Sequence, residues 1–241
     1  MSDPGATTTG LRAIRGQALS VGLATGSYGL SFGALAVTAG LSVPQAMALS
    51  LLLFSGGSQF AVVNVLGAGG SGAAAVATST MLGVRNGLYG IEVARFLRAS
   101  GARRLLGAHL TIDESTAVAL AQEQPEVQRT GFWAAGLGVY AFWNLSTLVG
   151  ALVGNAIGDP RVWGLDAAAA AAFVALIWPR LKDRTGQVTA ALAAVIALIS
   201  FAPMPAGVPV LLAAIAAIVI GLASAGPSSA HDIEQPEGDL L

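Results

Sequence analysis

The chain has 241 residues, 54% of them hydrophobic and only 10% charged, with a mean hydropathy of +0.70. Soluble domains carry roughly a quarter charged residues, so this composition excludes an ordinary water-soluble globule. The net charge of −1 excludes a nucleic-acid binder driven by phosphate neutralisation, and the absence of cysteine excludes disulfide frameworks, thiolate metal sites and cysteine nucleophiles.

Three stretches lack Asp, Glu, Lys and Arg altogether: 16–84, 130–158 and 185–230. A bilayer core of about 30 Å takes about 20 helical residues, so these stretches hold several spans. Their apolar runs are continuous, whereas barrel strands alternate every second residue. The expected class is an all-α, polytopic integral membrane protein. Its 31 glycines and its 6% of aromatic residues suit closely packed membrane helices.

Turn signals divide the chain into about seven apolar segments. The first runs over 18–40. Ser42-Val43-Pro44-Gln45 reads as a capping box with proline in the first turn, opening a second helix to Leu66. The glycine-rich run 67–72 breaks the chain before a third segment over 73–96. A fourth covers 130–157, ending at Asp159-Pro160, and a fifth 162–178. The sixth, 188–201, precedes the turn Pro203-Met204-Pro205, and the seventh covers 208–223. The expected organisation is a polar N-terminal segment (1–16), one transmembrane domain (17–224), and an acidic tail (225–241) too polar to fold. A cleaved signal peptide is the competing reading of the first segment, but no small-x-small site follows a short apolar region.

Orientation poses a problem. Arg95, Arg98, Arg103 and Arg104 form one basic cluster and Arg180, Lys182 and Arg184 another; two spans between them let both face the cytoplasm. Three full spans then put Arg12 and Arg15 outside, unless one early segment is re-entrant or broken. Gly33-Ala34-Leu35 and Gly150-Ala151-Leu152, each followed by a turn and an apolar helix, also suggest a duplication of the inverted kind found in secondary transporters. Coincidence in an Ala/Gly-rich chain is the alternative.

Polar residues inside the apolar segments are the candidate site. Arg85 interrupts the third segment, and a charge at helix centre costs about 2.5–3.5 kcal/mol on insertion scales. It is read as a substrate-side group, with snorkelling at the membrane boundary as the alternative. Asn86 follows it, and Glu92 lies on the same face about 10 Å along the axis. In the second segment Ser55 and Gln59 share a helix face across Gly56-Gly57, serving either a substrate or helix packing. Ser27 and Tyr28 are weaker candidates. In the fourth segment Asn144 shares a face with Tyr140, near mid-span Trp143 and Thr147. Thr111 and Glu114 fit a capping box at the membrane surface; the alternative makes Asp113 and Glu114 counter-ions near Arg85. Asp166 serves as first-turn acid or as a site residue. His109 is expected to face water, His231 lies in the tail, and no metal or cofactor is expected. There is no zinc, phosphate-loop or nucleophile-elbow motif, so an enzyme is not expected.

Five blocks, in order, carry a family resemblance: Gly33-Ala34; Phe54-Ser55-Gly56-Gly57-Ser58-Gln59-Phe60; Arg85 with Leu88-Tyr89-Gly90; Leu110-Thr111-Ile112-Asp113-Glu114; and Gly164-Leu165-Asp166. Together they resemble the AzlC family of bacterial branched-chain amino acid exporters over about residues 20–185. That family usually has asparagine two positions before the arginine and histidine after it, where this chain has Gly83 and Asn86. The resemblance implies the large subunit of a two-component secondary exporter in the bacterial inner membrane, working with a small AzlD-type membrane subunit. For such an exporter, the polar residues singled out above give Tyr28, Ser55, Gln59, Arg85, Asn86 and Asn144 as substrate-binding candidates, with Glu92, Asp113, Glu114 and Asp166 for ion coupling. The rival readings are a non-transporting membrane scaffold and a passive channel.

Overall fold

The structure is a computed structural model that describes residues 4–157, 174 and 177–224. The described residues are helical, with no strand among them. Three of their helices are long and apolar enough to cross a membrane: Arg12–Thr38, Pro125–Ala156 and Arg184–Phe201. The chain divides into two compact units, 1–177 with 205–207, and 178–204 with 208–241. The fifth apolar segment, apart from residues 174, 177 and 178, and the acidic tail lie outside the described residues.

In the first unit, α1 (Pro4–Thr38) begins well before the predicted start at Ala18, so the polar segment 1–16 is helical from Pro4 onward. It packs lengthwise on α7 (Pro125–Ile157). Gly22 faces Gly138, Gly29 faces Trp143, Gly33 faces Thr147 and Ala151, and Gly154 faces Ala34. Residue numbers rise together on the two helices, so they run parallel. A Cβ on Gly29 would stand 2.6 Å from the Trp143 carbonyl oxygen, and one on Gly154 2.9 Å from the Ala34 Cα. Only missing side chains permit such an approach, the usual device of membrane helix pairs. The Gly33 and Gly150 landmarks therefore lie against each other on parallel helices, without the antiparallel relation that an inverted duplication would give them.

After α1, Ser42 opens α2 (Val43–Leu52) as predicted. Its N–H donates to Gln45 Oε1 at 2.8 Å, and the Gln45 N–H donates to Ser42 Oγ at 3.4 Å. The predicted continuous helix to Leu66 is corrected: α2 stops at Leu52, and α3 (Gly56–Gly67) starts beyond a kink at Leu53–Ser55. Gly56-Gly57 weakens the helix at this point, and Gln59 rewards the break. Its Nε2 donates to the carbonyls of Leu53 (2.8 Å), Ser50 (3.3 Å) and Leu49 (3.4 Å) around the kink. Gly67, at the end of α3, comes back against Ala39 at the end of α1. The pair α2–α3 thus turns back to the end from which it started.

The glycine turn predicted at 67–72 follows, with Gly69 at φ +76°. Ser71 then caps α4 (Gly72–Leu97), its Oγ accepting the Ala74 N–H. At 26 residues α4 is about 39 Å long, and it ends on Arg98 at φ +44°. Two short helices, α5 (Gly101–His109) and α6 (Asp113–Leu120), form a second returning pair at this opposite end. Leu97 meets Gly107, while Val118 comes back to Gly131 and Ile14. The Thr111–Glu114 capping box is a second correction. Thr111 Oγ1 donates to the Gly107 carbonyl at 2.8 Å, and Ser115 Oγ takes the Ile112 N–H at 3.1 Å.

Within the first unit this route brings the N-terminal arginines to the first basic cluster. Arg129 Nε donates to the Phe96 carbonyl at 2.6 Å, tying the end of α4 to the start of α7, and Arg15 shares a cavity with Arg98 and Arg103. With α2–α3 returning, Arg12 and Arg15 lie at the same end as the 95–104 cluster.

In the second unit a 3-10 turn (Trp178–Lys182) leads into α8 (Arg184–Phe201), where Asp183 Oδ1 accepts the Gly186 N–H at 2.6 Å. α8 packs on α9 (Val208–Ser224).

Candidate functional site

Both returning pairs bring their kinks to the middle of the first unit. Phe54 at the first kink stands 5.8 Å, ring to ring, from His109 near the second, and 4.9 Å from Tyr140 of α7. Between the kinks lies a cavity of about 70 Å³, on a scale where one water needs about 10–15 Å³. The kinks contribute Ser55, Gly56 and Gly57 on one side and Ile112, Asp113 and Glu114 on the other. α1 adds Thr25 and Tyr28, α4 adds Arg85 and Asn86, and α7 adds Val139 and Trp143.

Arg85 Nη2 meets Asp113 Oδ2 at 2.9 Å, and the two side chains are 38% and 26% exposed. The pair leaves much of its capacity unused. Arg85 Nε, Asp113 Oδ1, Asn86 Oδ1 and Trp143 Nε1 are buried without a hydrogen-bond partner among the described residues. Buried polar groups are nearly always satisfied, so these four atoms leave hydrogen-bonding capacity open to a polar occupant of the cavity. Glu114 adds a second carboxylate to the lining, as Thr25 adds a hydroxyl.

The helix ends act on the same point. α3 and α6 each begin at the cavity, and their first-turn N–H groups and dipoles favour negative charge there. The remaining wall is apolar. Phe60 and Trp143 meet edge to face at 6.2 Å, Phe32 stacks behind Trp143 at 6.1 Å, and Phe54, Ile112 and Val139 complete the lining. The cavity therefore has a charged pole and an aliphatic-aromatic pole. Among the described residues no group of His, Asp and Glu is placed to hold a metal ion.

Six predicted site residues line this cavity: Tyr28, Ser55, Arg85, Asn86, Asp113 and Glu114. Gln59 does not; it is fully buried, and its amide holds the end of α2. Asn144 also lies outside the lining, its Nδ2 donating to the Tyr140 carbonyl at 2.8 Å. Glu92, placed by periodicity on the face of Arg85, pairs instead with Arg95 at 3.1 Å toward the basic end of α4. The Ser27 hydroxyl is spent on the Ala24 carbonyl. His109 is half-buried against Phe54 and Tyr140, contrary to the expectation that it faces water. Asp166 lies outside the described residues. Thr25 and Phe60 were missed: a threonine or phenylalanine in an apolar helix carries no signal of which way it points.

The family model described as AzlC protein matches residues 20–157. The chain belongs to the AzlC family. That match covers every residue of the cavity. The AzlC-like blocks at 54–60, 85–90 and 110–114 fall at the first kink, on α4 and at the second kink. Among curated relatives, a protein of Helicobacter pylori is 26% identical over 72% of this chain and 77% of its own length. One of Archaeoglobus fulgidus is 33% identical over 64% of this chain and 68% of its own. Both are described as uncharacterized membrane proteins. No solved structure matches the chain. Apolar helices of spanning length, relatives named as membrane proteins and the AzlC match together make this an all-α membrane protein.

Proposed function

We propose that this AzlC-family protein is the large subunit of a two-component secondary exporter of branched-chain amino acids. In this reading it is a multi-pass protein of the bacterial plasma membrane and works with a small AzlD-type subunit. Its roughly seven apolar segments include one that enters and returns as α2–α3. The observation that carries the reading is the Arg85–Asp113 pair, with its unused hydrogen-bonding capacity, against an apolar wall.

A zwitterionic amino acid fits this arrangement by charge exchange. Its carboxylate takes the free edge of Arg85 and the N-terminal N–H groups of α3 and α6. Its ammonium group takes Asp113 Oδ1, and Asn86 and Trp143 Nε1 hold the remaining polar edge. The branched side chain lies against Ile112, Val139, Phe54 and Trp143. Opening the ion pair is matched by two new pairs, so no charge is left uncompensated in a low-dielectric site. Glu114 is a second carboxylate beside a single arginine, which suits it to carry a coupling proton.

Leucine efflux from loaded proteoliposomes, with and without the small subunit and across an imposed proton gradient, tests the reading. Saturable, gradient-dependent efflux requiring both subunits supports it. Non-saturable flux indicates a channel. No flux of leucine, isoleucine or valine from a verified assembly overturns the substrate assignment.

A further inference from the structure

At the basic end of the first unit a second, larger cavity of about 830 Å³ opens between α1, α4, α5 and α7. Four arginines line it: Arg15 of α1, Arg98 at the end of α4, Arg103 of α5 and Arg129 of α7. Glu126 is the one acidic residue in the lining. Neither ion pair found among the described residues involves any of these five groups. Four arginines against one carboxylate give the lining a net positive charge, so their convergence from four separate elements favours an anion there.

Two of the arginines are held in place. Arg129 is fixed by its bond to the Phe96 carbonyl at 2.6 Å, and the Arg103 guanidinium lies 5.7 Å from the centre of the Trp133 ring. Arg98 occupies the left-handed conformation at φ +44°, where glycine is the usual residue.

We propose that this cavity binds the phosphate headgroup of an anionic membrane phospholipid. Depth favours a lipid over a soluble anion. Arg15 and Arg129 both lie within about one turn of the polar ends of the spans Arg12–Thr38 and Pro125–Ala156, the level of the headgroups. From there the lining continues along α7 through Trp133 and Ala134 to Leu137, which is 48% exposed. That strip offers an interfacial tryptophan and then an apolar surface to the first part of an acyl chain. Basic pockets between membrane helices on the cytoplasmic side recognise acidic headgroups by this chemistry. The lipid would join α1, α4, α5 and α7 from the outside.

The test uses the full chain in detergent, titrated with phosphatidylglycerol, phosphatidylethanolamine or inorganic phosphate, with bound lipid read by native mass spectrometry. It needs no transport, so it stands apart from the exporter reading. Saturable phosphatidylglycerol binding is expected, well above phosphatidylethanolamine and not displaced by inorganic phosphate. The double variant Arg15→Gln/Arg103→Gln should weaken it roughly thirtyfold. The control Arg12→Gln/Arg104→Gln removes the same charge from the same end outside the cavity and should change it little. Equal loss in both variants would show diffuse surface charge and overturn the proposal. So would equal binding of the two lipids, or displacement by inorganic phosphate. The lipid comparison on the unmodified chain decides the matter even where the double variant does not fold.

Discussion

Arg85, midway along a 26-residue helix, and Asp113, in the first turn of an 8-residue one, meet at 2.9 Å and join α4 to the kink of the second returning pair. The contact places a fixed charge where two helix N-termini converge.

If the pair is both a strut and a binding element, Arg85→Ala should abolish saturable leucine efflux and lower thermal stability in detergent. The double variant Arg85→Ala/Asp113→Ala should recover part of the stability and none of the transport. A double-mutant cycle on unfolding should give a coupling of about 0.5–2 kcal/mol for this partly exposed pair. A coupling near zero would show that the two side chains merely lie close.

Glu114 is expected to link transport to protons. Glu114→Gln should keep leucine counterflow between equal pH values and lose accumulation driven by a pH gradient. Retained gradient-driven accumulation would move the coupling role elsewhere.

Gln59 tests whether a buried amide in a family-like block serves structure alone. Gln59→Leu removes the amide's bonds to the Leu53, Ser50 and Leu49 carbonyls at the kink and should cost about 1–3 kcal/mol of stability. The KM of any folded protein should change little. A large rise in KM with normal stability would return Gln59 to the binding site.

Close contact between α1 and α7 predicts opposite outcomes for two glycines. Gly33→Ala drives a methyl group into the Thr147 carbonyl and should reduce assembled protein sharply, at about 1–3 kcal/mol or more. Gly87→Ala meets nothing within 4 Å and should be tolerated. Equal tolerance at both positions would mean that the α1–α7 seam is looser than the packing here.

The chain has no cysteine, so single cysteines report topology cleanly. Arg12→Cys and Ser100→Cys should react with an impermeant thiol reagent from one side of the membrane, and Ala68→Cys from the other. Labelling of positions 12 and 100 from opposite sides would mean that α2–α3 crosses the bilayer.

Much of this was legible in the amino-acid sequence. Charge-free stretches demand a bilayer, because no soluble surface is built from 10% charged residues. The Ser42–Gln45 cap, the glycine turn at 67–72 and the Arg85 anomaly are local in origin, and all three stand where the sequence put them. Only the tertiary structure decided which polar groups meet. Thr147 receives the Ser50 hydroxyl from 97 residues away, Asp113 faces Arg85 rather than water, Gln59 turns to its own neighbouring helix, and Glu92 turns away from Arg85. Helical periodicity places a side chain on a face but says nothing of what that face meets. A buried polar side chain that finds a partner in the protein finds one chosen by how distant helices pack. The same holds for the break in the second segment: two glycines permit it, and the packing of α3 against α1 and α4 sets its direction.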